Sequence, residues 1–106
     1  MTTDHKAPLW RVLFLAERYG RMILTLDEVG EQIGLAPGTI RNRRTRGELQ
    51  WLRADGRSLY ADVQDVAQYL EEARQRALEA AAAQAAASSA FERAVEAING
   101  PRQRRR

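Results

Sequence analysis

The chain has 106 residues, a formal net charge of +3 and no cysteine. Its length fits one domain with an appendage, and the missing cysteines exclude a disulfide framework or a thiolate metal site. No apolar run is as long as a membrane span and no signal-peptide core stands at the start, so we expect a cytoplasmic protein without a membrane partner.

Charge is distributed unevenly along the chain. Residues 36–58 contain six arginines against two acids, whereas residues 62–99 contain three arginines against seven acids. Residues 102–106 add four arginines. A basic segment, an acidic helix and a basic tail in this order favour a polyanionic partner over a uniformly charged surface.

A first helix is predicted between Pro8, which suits a helix start, and Gly20, which suits a helix end. Apolar residues recur in it at helical spacing: Leu9, Val12, Leu13 and Ala16. Trp10 and Phe14 form a second apolar stripe one residue further round. We expect both stripes to lie in the core; the alternative is that Trp10 and Phe14 mark a dimer face.

Two short helices joined by a tight turn are predicted next, after a short apolar run at 22–24 that can form a strand. Thr25 and Glu28 have the spacing of a capping box. The buried stripe of the first helix of the pair is Leu26, Val29 and Ile33. Gly30 lies on the same side, where a small residue lets the second helix cross closely.

The second helix of this pair is predicted to begin at Pro37 and to end at Gly47, with Ile40 as its inward anchor. Rotation by 100° per residue from Ile40 places five residues on its outer face, with Thr39 at the edge: Gly38, Arg41, Asn42, Thr45 and Arg46. Arginine and asparagine can each bond the edge of a base through two atoms. The free N–H groups of the first turn, near Gly38 and Thr39, can hold a phosphate. The alternative is a solvated polar face.

A β-hairpin is predicted to follow, with strands at 49–52 and 58–61 and a two-residue turn at Asp55-Gly56. Arg53 and Arg57 flank the turn and would reach phosphate or a minor groove. The alternative is an ordinary exposed hairpin. We expect Trp51, Leu59 and Tyr60 to pack in the interior.

Asp62 is expected to cap a long helix over 63–98, whose first turns close the core through Val63, Val66, Ala67 and Leu70. Beyond residue 73 the helix is rich in alanine, with a break or frayed point expected at Ser88-Ser89. One further apolar stripe is apparent: Phe91, Val95 and Ile98. It predicts self-association or binding of a partner protein; the alternative is a solvated appendage.

The predicted organisation therefore has four parts. A flexible segment at 1–7 precedes a DNA-binding head at 8–73, which is followed by an Ala-rich helix at 74–99 and a disordered basic tail at 100–106. His5 is the single histidine, and no nucleophile motif, phosphate loop or metal-ligand set appears. We expect no enzyme activity, no cofactor and no metal.

The run LTLDEVGEQIGLAPGTIRNRRTRGEL, the hairpin after it and LYADVQDVAQYLEEAR resemble excisionase-like or MerR-like DNA-binding domains. Together with LFLAERYGR, they also resemble small phage regulators of the pyocin activator and excision factor type. The resemblance covers about half to two-thirds of the chain. It implies a winged helix-turn-helix fold, mainly α, with the second helix in the major groove and the hairpin on the backbone or minor groove.

One departure concerns the residues after TIRN, where these families usually have two apolar or aromatic residues. Here the pair is Arg43-Arg44. Arg44 lies close to Ile40 round the helix, so we expect it to pass along the core edge or to pair with Glu28, Glu31 or Glu48. Arg43 stays among the candidate DNA-binding residues.

The leading hypothesis is a sequence-specific binder of double-stranded DNA from a phage or mobile element. It would act as a transcription regulator, an excision factor or both, as a homo-oligomer or in several copies on DNA. The alternative is an adaptor that binds a protein through the long C-terminal helix. RNA binding ranks third, because no surface set of stacking aromatics is evident.

Overall fold

The computed structural model of the protein describes residues 6–99. The predictions for residues 1–5, which include His5, and for the tail at 100–106 lie outside the described residues. The described part is mainly helical, as predicted, with one small antiparallel sheet and a long C-terminal helix. Its elements in chain order are α1 (Leu9–Tyr19), β1 (Ile23–Thr25), α2 (Leu26–Ile33), α3 (Pro37–Thr45), β2 (Arg53–Asp55), β3 (Ser58–Asp62) and α4 (Val63–Asn99).

The chain divides into two compact units, Met1–Ala73 and Arg74–Arg106. The first unit holds the hydrophobic core. Its buried members come from every element of this unit except β2 and from the loop before that strand: Leu15, Leu24, Val29, Ile40, Leu52, Leu59, Ala61, Val63, Val66 and Ala67. The described part of the second unit, 74–99, is helical, and nearly all of its residues are exposed.

Helix α1 contacts the core through only part of the predicted apolar face: Val12 and Ala16 pack against the core as predicted. Leu15, which belongs to neither predicted stripe, is its one buried residue. Leu9, Trp10, Leu13 and Phe14 are all exposed, so their expected place in the core is wrong. The helix is turned so that Leu15 and its half-buried neighbours at 12, 16 and 19 face the other elements.

Polar contacts attach α1 to the rest of the unit. The Arg11 guanidinium lies 3.7 Å from a carboxylate oxygen of Glu71 on α4. The Tyr19 hydroxyl donates to Glu31 at 2.5 Å and accepts from Gln32 at 2.9 Å, both on α2. Ala7, expected to be loose, is held because its backbone N–H donates to the Gln68 side chain at 2.9 Å.

The start of α2 confirms the predicted capping box. The Thr25 hydroxyl accepts from the Glu28 N–H at 3.2 Å, and the Glu28 carboxylate accepts from the Thr25 N–H at 2.9 Å. Gly34 ends α2 in the left-handed conformation, with φ +77°. α3 then begins at Pro37, as predicted.

The sheet has the order β1-β3-β2, and both pairings are antiparallel. The predicted strand at 49–52 is wrong: Leu49 has a positive φ of 54°, and its carbonyl accepts from the Leu52 N–H in a turn. This turn directs Leu52 into the core. The hairpin strand begins later, at Arg53, so its two-residue turn is Gly56-Arg57 rather than Asp55-Gly56.

Helix α4 begins as predicted, because the Asp62 carboxylate accepts from the Gln64 N–H at 2.8 Å. Leu59 is buried, whereas Trp51 and Tyr60 are half-buried; Trp51 packs against Tyr69, with 5.7 Å between the ring centroids. The expected break at Ser88-Ser89 is absent, because α4 is continuous from Val63 to Asn99.

Candidate nucleic-acid interface

Helix α3 is fixed by close contact with α2 and with the turn between the two helices. Ile40 is fully buried and anchors α3 to the core. A Cβ atom at Gly30 would lie 2.5 Å from the Leu35 carbonyl oxygen and 3.4 Å from Ile40 Cδ1. Only glycine fits at this position without displacement, but the close approach is made by the turn at Leu35 and not by α3 itself, which lies at ordinary contact distance.

The opposite face of α3 is open to solvent, as rotation from Ile40 predicted. All six residues placed on or beside that face are exposed: Gly38, Thr39, Arg41, Asn42, Thr45 and Arg46. Thr45 donates its hydroxyl to the Arg41 carbonyl at 2.9 Å, one helical turn earlier. The Arg41 and Asn42 side chains are therefore presented side by side on a helix that the core holds in place.

The hairpin lies against the same helix. The Arg41 Nη2 donates to the Arg57 carbonyl oxygen at 3.1 Å, which joins the middle of α3 to the hairpin turn. Arg53 and Arg57 are exposed at the two ends of this hairpin. The structure therefore brings the helical and the hairpin candidates together on one unit.

A groove of about 280 Å³ runs between α3 and the hairpin. Three arginines line this groove: Arg41, Arg44 and Arg57. The rest of its lining is Thr45, Ala54, Gly56 and Leu59. A second groove, of about 490 Å³, lies on the other side of Arg41 and is lined by residues of β1, β3 and the start of α2, and by Arg21. Arg41 is thus shared by two adjoining hollows, both with arginine side chains at their edges.

The structure reverses the expected roles of the two arginines after TIRN. Arg43 is half-buried, whereas Arg44 is exposed. The acids expected to pair with Arg44 are bound elsewhere: Glu28 to Arg21, Glu31 to Arg18 and Glu48 to Arg46. Arg44 is thus a candidate that the sequence analysis missed. Its position three residues after Arg41 was the available signal, because residues at i and i+3 share a helix face.

Most of the positive charge on α3 and the hairpin is not neutralised by ion pairing. Of the six arginines in residues 41–57, one forms an ion pair within the described part of the chain. This is Arg46, whose Nε lies 3.6 Å from the Glu48 Oε2, and both side chains are largely exposed. An exposed pair of this kind contributes little and is screened by salt. The other five arginines of this surface therefore have no carboxylate within ion-pair distance in the described part of the chain.

Two carboxylates near this surface titrate away from their ordinary values. The pKa of Glu28 is lowered, first by the hydrogen bond from the Thr25 backbone N–H and then by Arg21, against the opposing effect of burial. The pKa of Asp65 is raised by burial and by the nearby Asp62 carboxylate, with Arg53 acting in the opposite direction. The two pKa shifts therefore have opposite directions: hydrogen bonding lowers the pKa of Glu28, and burial raises that of Asp65.

Other chemistry has few candidate residues in the described part of the chain. Residues 6–99 contain no cluster of three or more acidic, histidine or cysteine side chains able to hold a metal ion. None of the helices found there is long and apolar enough to cross a membrane.

Comparison with protein-family models, with curated proteins and with solved structures finds no match to this chain.

Proposed function

We propose that this protein is a winged helix-turn-helix protein that binds double-stranded DNA sequence-specifically. In this proposal α2 and α3 form the helix-turn-helix, α3 enters the major groove, and the β2–β3 hairpin is the wing. The single observation that carries the proposal is the exposed face of α3 joined by the Arg41–Arg57 contact to an arginine-bearing hairpin.

The charge and geometry of this face fit duplex DNA better than a small ligand. Arginines within a turn or two of one helix match the spacing of phosphates and base edges along a groove. The two grooves beside Arg41 are open hollows on the surface rather than enclosed cavities for a small molecule. We therefore propose neither an enzymatic reaction nor a cofactor.

The proposed biological role follows from the sequence resemblance and stays at the level of class. We propose a phage or mobile-element protein, acting in the cytoplasm as a transcription regulator, as an excision factor or as both. Each role requires specific binding of DNA, and the same surface would serve both.

Salt dependence of binding is the direct test of the proposal. Six arginines on α3 and the hairpin, if mostly placed on phosphates, predict a slope of log affinity against log salt of roughly −4 to −6. Fluorescence anisotropy with a labelled duplex, over a series from low to physiological salt, measures this slope. A slope near zero would exclude this surface as a DNA interface.

Substitutions should divide the surface into base readers and backbone contacts. Arg41→Ala or Asn42→Ala should cost about 1–3 kcal/mol on the specific site and relax sequence preference. Arg57→Ala should weaken specific and random duplexes alike. Arg76→Ala, which removes an exposed arginine from α4, is the matched control and should change neither. Equal losses on both duplexes for every α3 variant would contradict the assignment of α3 as the reader.

A second candidate function is that of an adaptor, favoured by the exposure of Phe91 and Ile98 on α4. Binding of a protein partner through this apolar surface should differ from DNA binding in its dependence on salt, because the affinity of an apolar contact rises or stays constant as the salt concentration increases. The footprint of the protein on DNA around its own gene would distinguish the two candidates and would locate the site.

A further inference from the structure

Helix α1 carries an exposed apolar patch, which we name the α1 face: Leu9, Trp10, Leu13 and Phe14. Their exposed fractions are 70, 60, 57 and 57%, respectively. These residues lie within an arc of about 140° on the side of α1 away from the core. Single exposed apolar residues are ordinary, but a contiguous group containing two aromatics marks an interaction surface.

We infer that the α1 face pairs with the same face of a second copy of this chain, with the two α1 helices antiparallel. Such an isologous contact requires a patch that is complementary to itself after a two-fold rotation. The α1 face meets this condition in sequence, because Leu9 and Phe14 lie equally far from its midpoint, as do Trp10 and Leu13. An antiparallel pair therefore places each aromatic residue opposite a leucine.

Charges at the two ends of α1 select the antiparallel arrangement. Glu17 is exposed in the same arc as the α1 face, and Lys6 is exposed before the start of the helix. They too are equally far from the midpoint, so an antiparallel pair brings Lys6 of each copy to Glu17 of the other. Parallel helices would instead place the two Glu17 carboxylates together.

The other exposed apolar stripe is a poorer partner for this patch. Phe91 and Val95 lie beside Glu92 and Glu96 on α4. Docking of the α1 face on that stripe would attract Lys6 but leave Glu17 beside carboxylates, because no basic residue lines the hollow there. A second α1 face avoids this repulsion and adds two attractions.

The size of the patch predicts a weak pair. An aromatic side chain offers about 150–250 Å² of surface, so the partly exposed α1 face contributes on the order of 400 Å² per copy. Two copies would bury roughly 800 Å² from these residues, which is below the usual range of about 1,200–2,000 Å² for stable complexes. We therefore expect pairing that depends on protein concentration and needs no DNA.

Sedimentation of the full chain without DNA tests the inference, over roughly 1 µM to 1 mM in protein. The wild type should shift from monomer towards dimer across the series. Leu13→Ser/Phe14→Ser should remain monomeric and, because both residues are exposed, should stay folded as judged by circular dichroism. A wild type that is monomeric throughout, or a double variant that still associates, would overturn the inference.

Trp10 offers a local readout in a Trp51→Phe background, where it is the one tryptophan of the chain. Its emission should move to the blue as concentration rises, because pairing removes the exposed indole from water. Phe91→Ser/Ile98→Ser is the matched control at the other stripe and should keep this shift. Loss of the shift in that control would place the contact on α4 and refute the α1 pair.

Charge reversal tests the antiparallel arrangement. Lys6→Glu or Glu17→Lys alone should weaken the pair by about 2- to 10-fold, and the combined variant should restore it. Along the axis of α1, Leu9 and Glu17 are already about 12 Å apart, and Lys6 lies before Leu9. Restoration therefore reports a contact between copies. If the combined variant is as weak as the single ones, the antiparallel arrangement is wrong.

Discussion

The contact between Arg11 and Glu71 makes a prediction about the stability of the first unit. The two side chains are 18% and 9% exposed. The Arg11 Nη2 on α1 lies 3.7 Å from the Glu71 Oε1 on α4. The Arg11 Nε is buried without a hydrogen-bond partner. The Arg11 guanidinium also lies over the Trp10 ring, 4.9 Å from its centroid, so a carboxylate and an aromatic face replace most of its contact with water.

Glu71→Ala should destabilise the unit by about 1–3 kcal/mol, because it leaves the largely desolvated Arg11 guanidinium without its carboxylate. This is a large fraction of the roughly 4–10 kcal/mol expected for a unit of this size. Glu72→Ala is the matched control: Glu72 is the next residue, is exposed and accepts a hydrogen bond from Gln68 at 3.0 Å. Glu72→Ala should therefore lower the free energy of unfolding by about 0.5 kcal/mol or less.

Urea unfolding followed by Trp51 fluorescence in a Trp10→Phe background is the assay, because Trp51 packs against Tyr69 within this unit. The combined change Arg11→Met/Glu71→Leu should recover most of the loss, since apolar side chains of similar volume replace a buried ion pair at little cost. Equal effects of Glu71→Ala and Glu72→Ala would show that Arg11 and Glu71 do not stabilise the unit as a pair.

Three further predictions concern packing, acid stability and assembly. Gly30→Ala should lower the unfolding free energy by about 1–3 kcal/mol, because its Cβ would lie 2.5 Å from the Leu35 carbonyl oxygen. Gly38→Ala is the control. Its Cβ would have no atom within 4 Å, so the same urea titration should show no loss of stability or a small gain. Because the folded-state pKa of Glu28 is lowered, its carboxylate stabilises the fold at pH values above the ordinary pKa of 4.5, and this contribution is lost as the pH falls through the lowered pKa. In Glu28→Gln the urea midpoint should therefore depend less on pH in this acid range. An unchanged pH dependence would contradict the prediction. Truncation after Ala73 should reduce cooperativity on a repeated DNA site, where neighbouring copies would bring their α4 stripes together; unchanged cooperativity would show that the stripe on α4 is no assembly surface.

The local elements of the fold could be predicted from the sequence because their signals are local. The capping pair Thr25 and Glu28, the helix start at Pro37 and the cap at Asp62 each act within a few residues, and the structure has all three. The outer face of α3 follows in the same way, since one buried anchor and a rotation of 100° per residue determine which side chains reach solvent.

Long-range packing decided what the sequence pattern left open. Both apolar stripes of α1 satisfy helical periodicity, but periodicity does not say which side meets another element, and Leu15 rather than Trp10 is buried. Whether Arg43 or Arg44 is exposed likewise depends on where α3 crosses its neighbours, because both lie close to Ile40 round the helix. The Arg41–Arg57 contact joins residues 16 positions apart, so only the tertiary structure could place the helix and the hairpin on one surface.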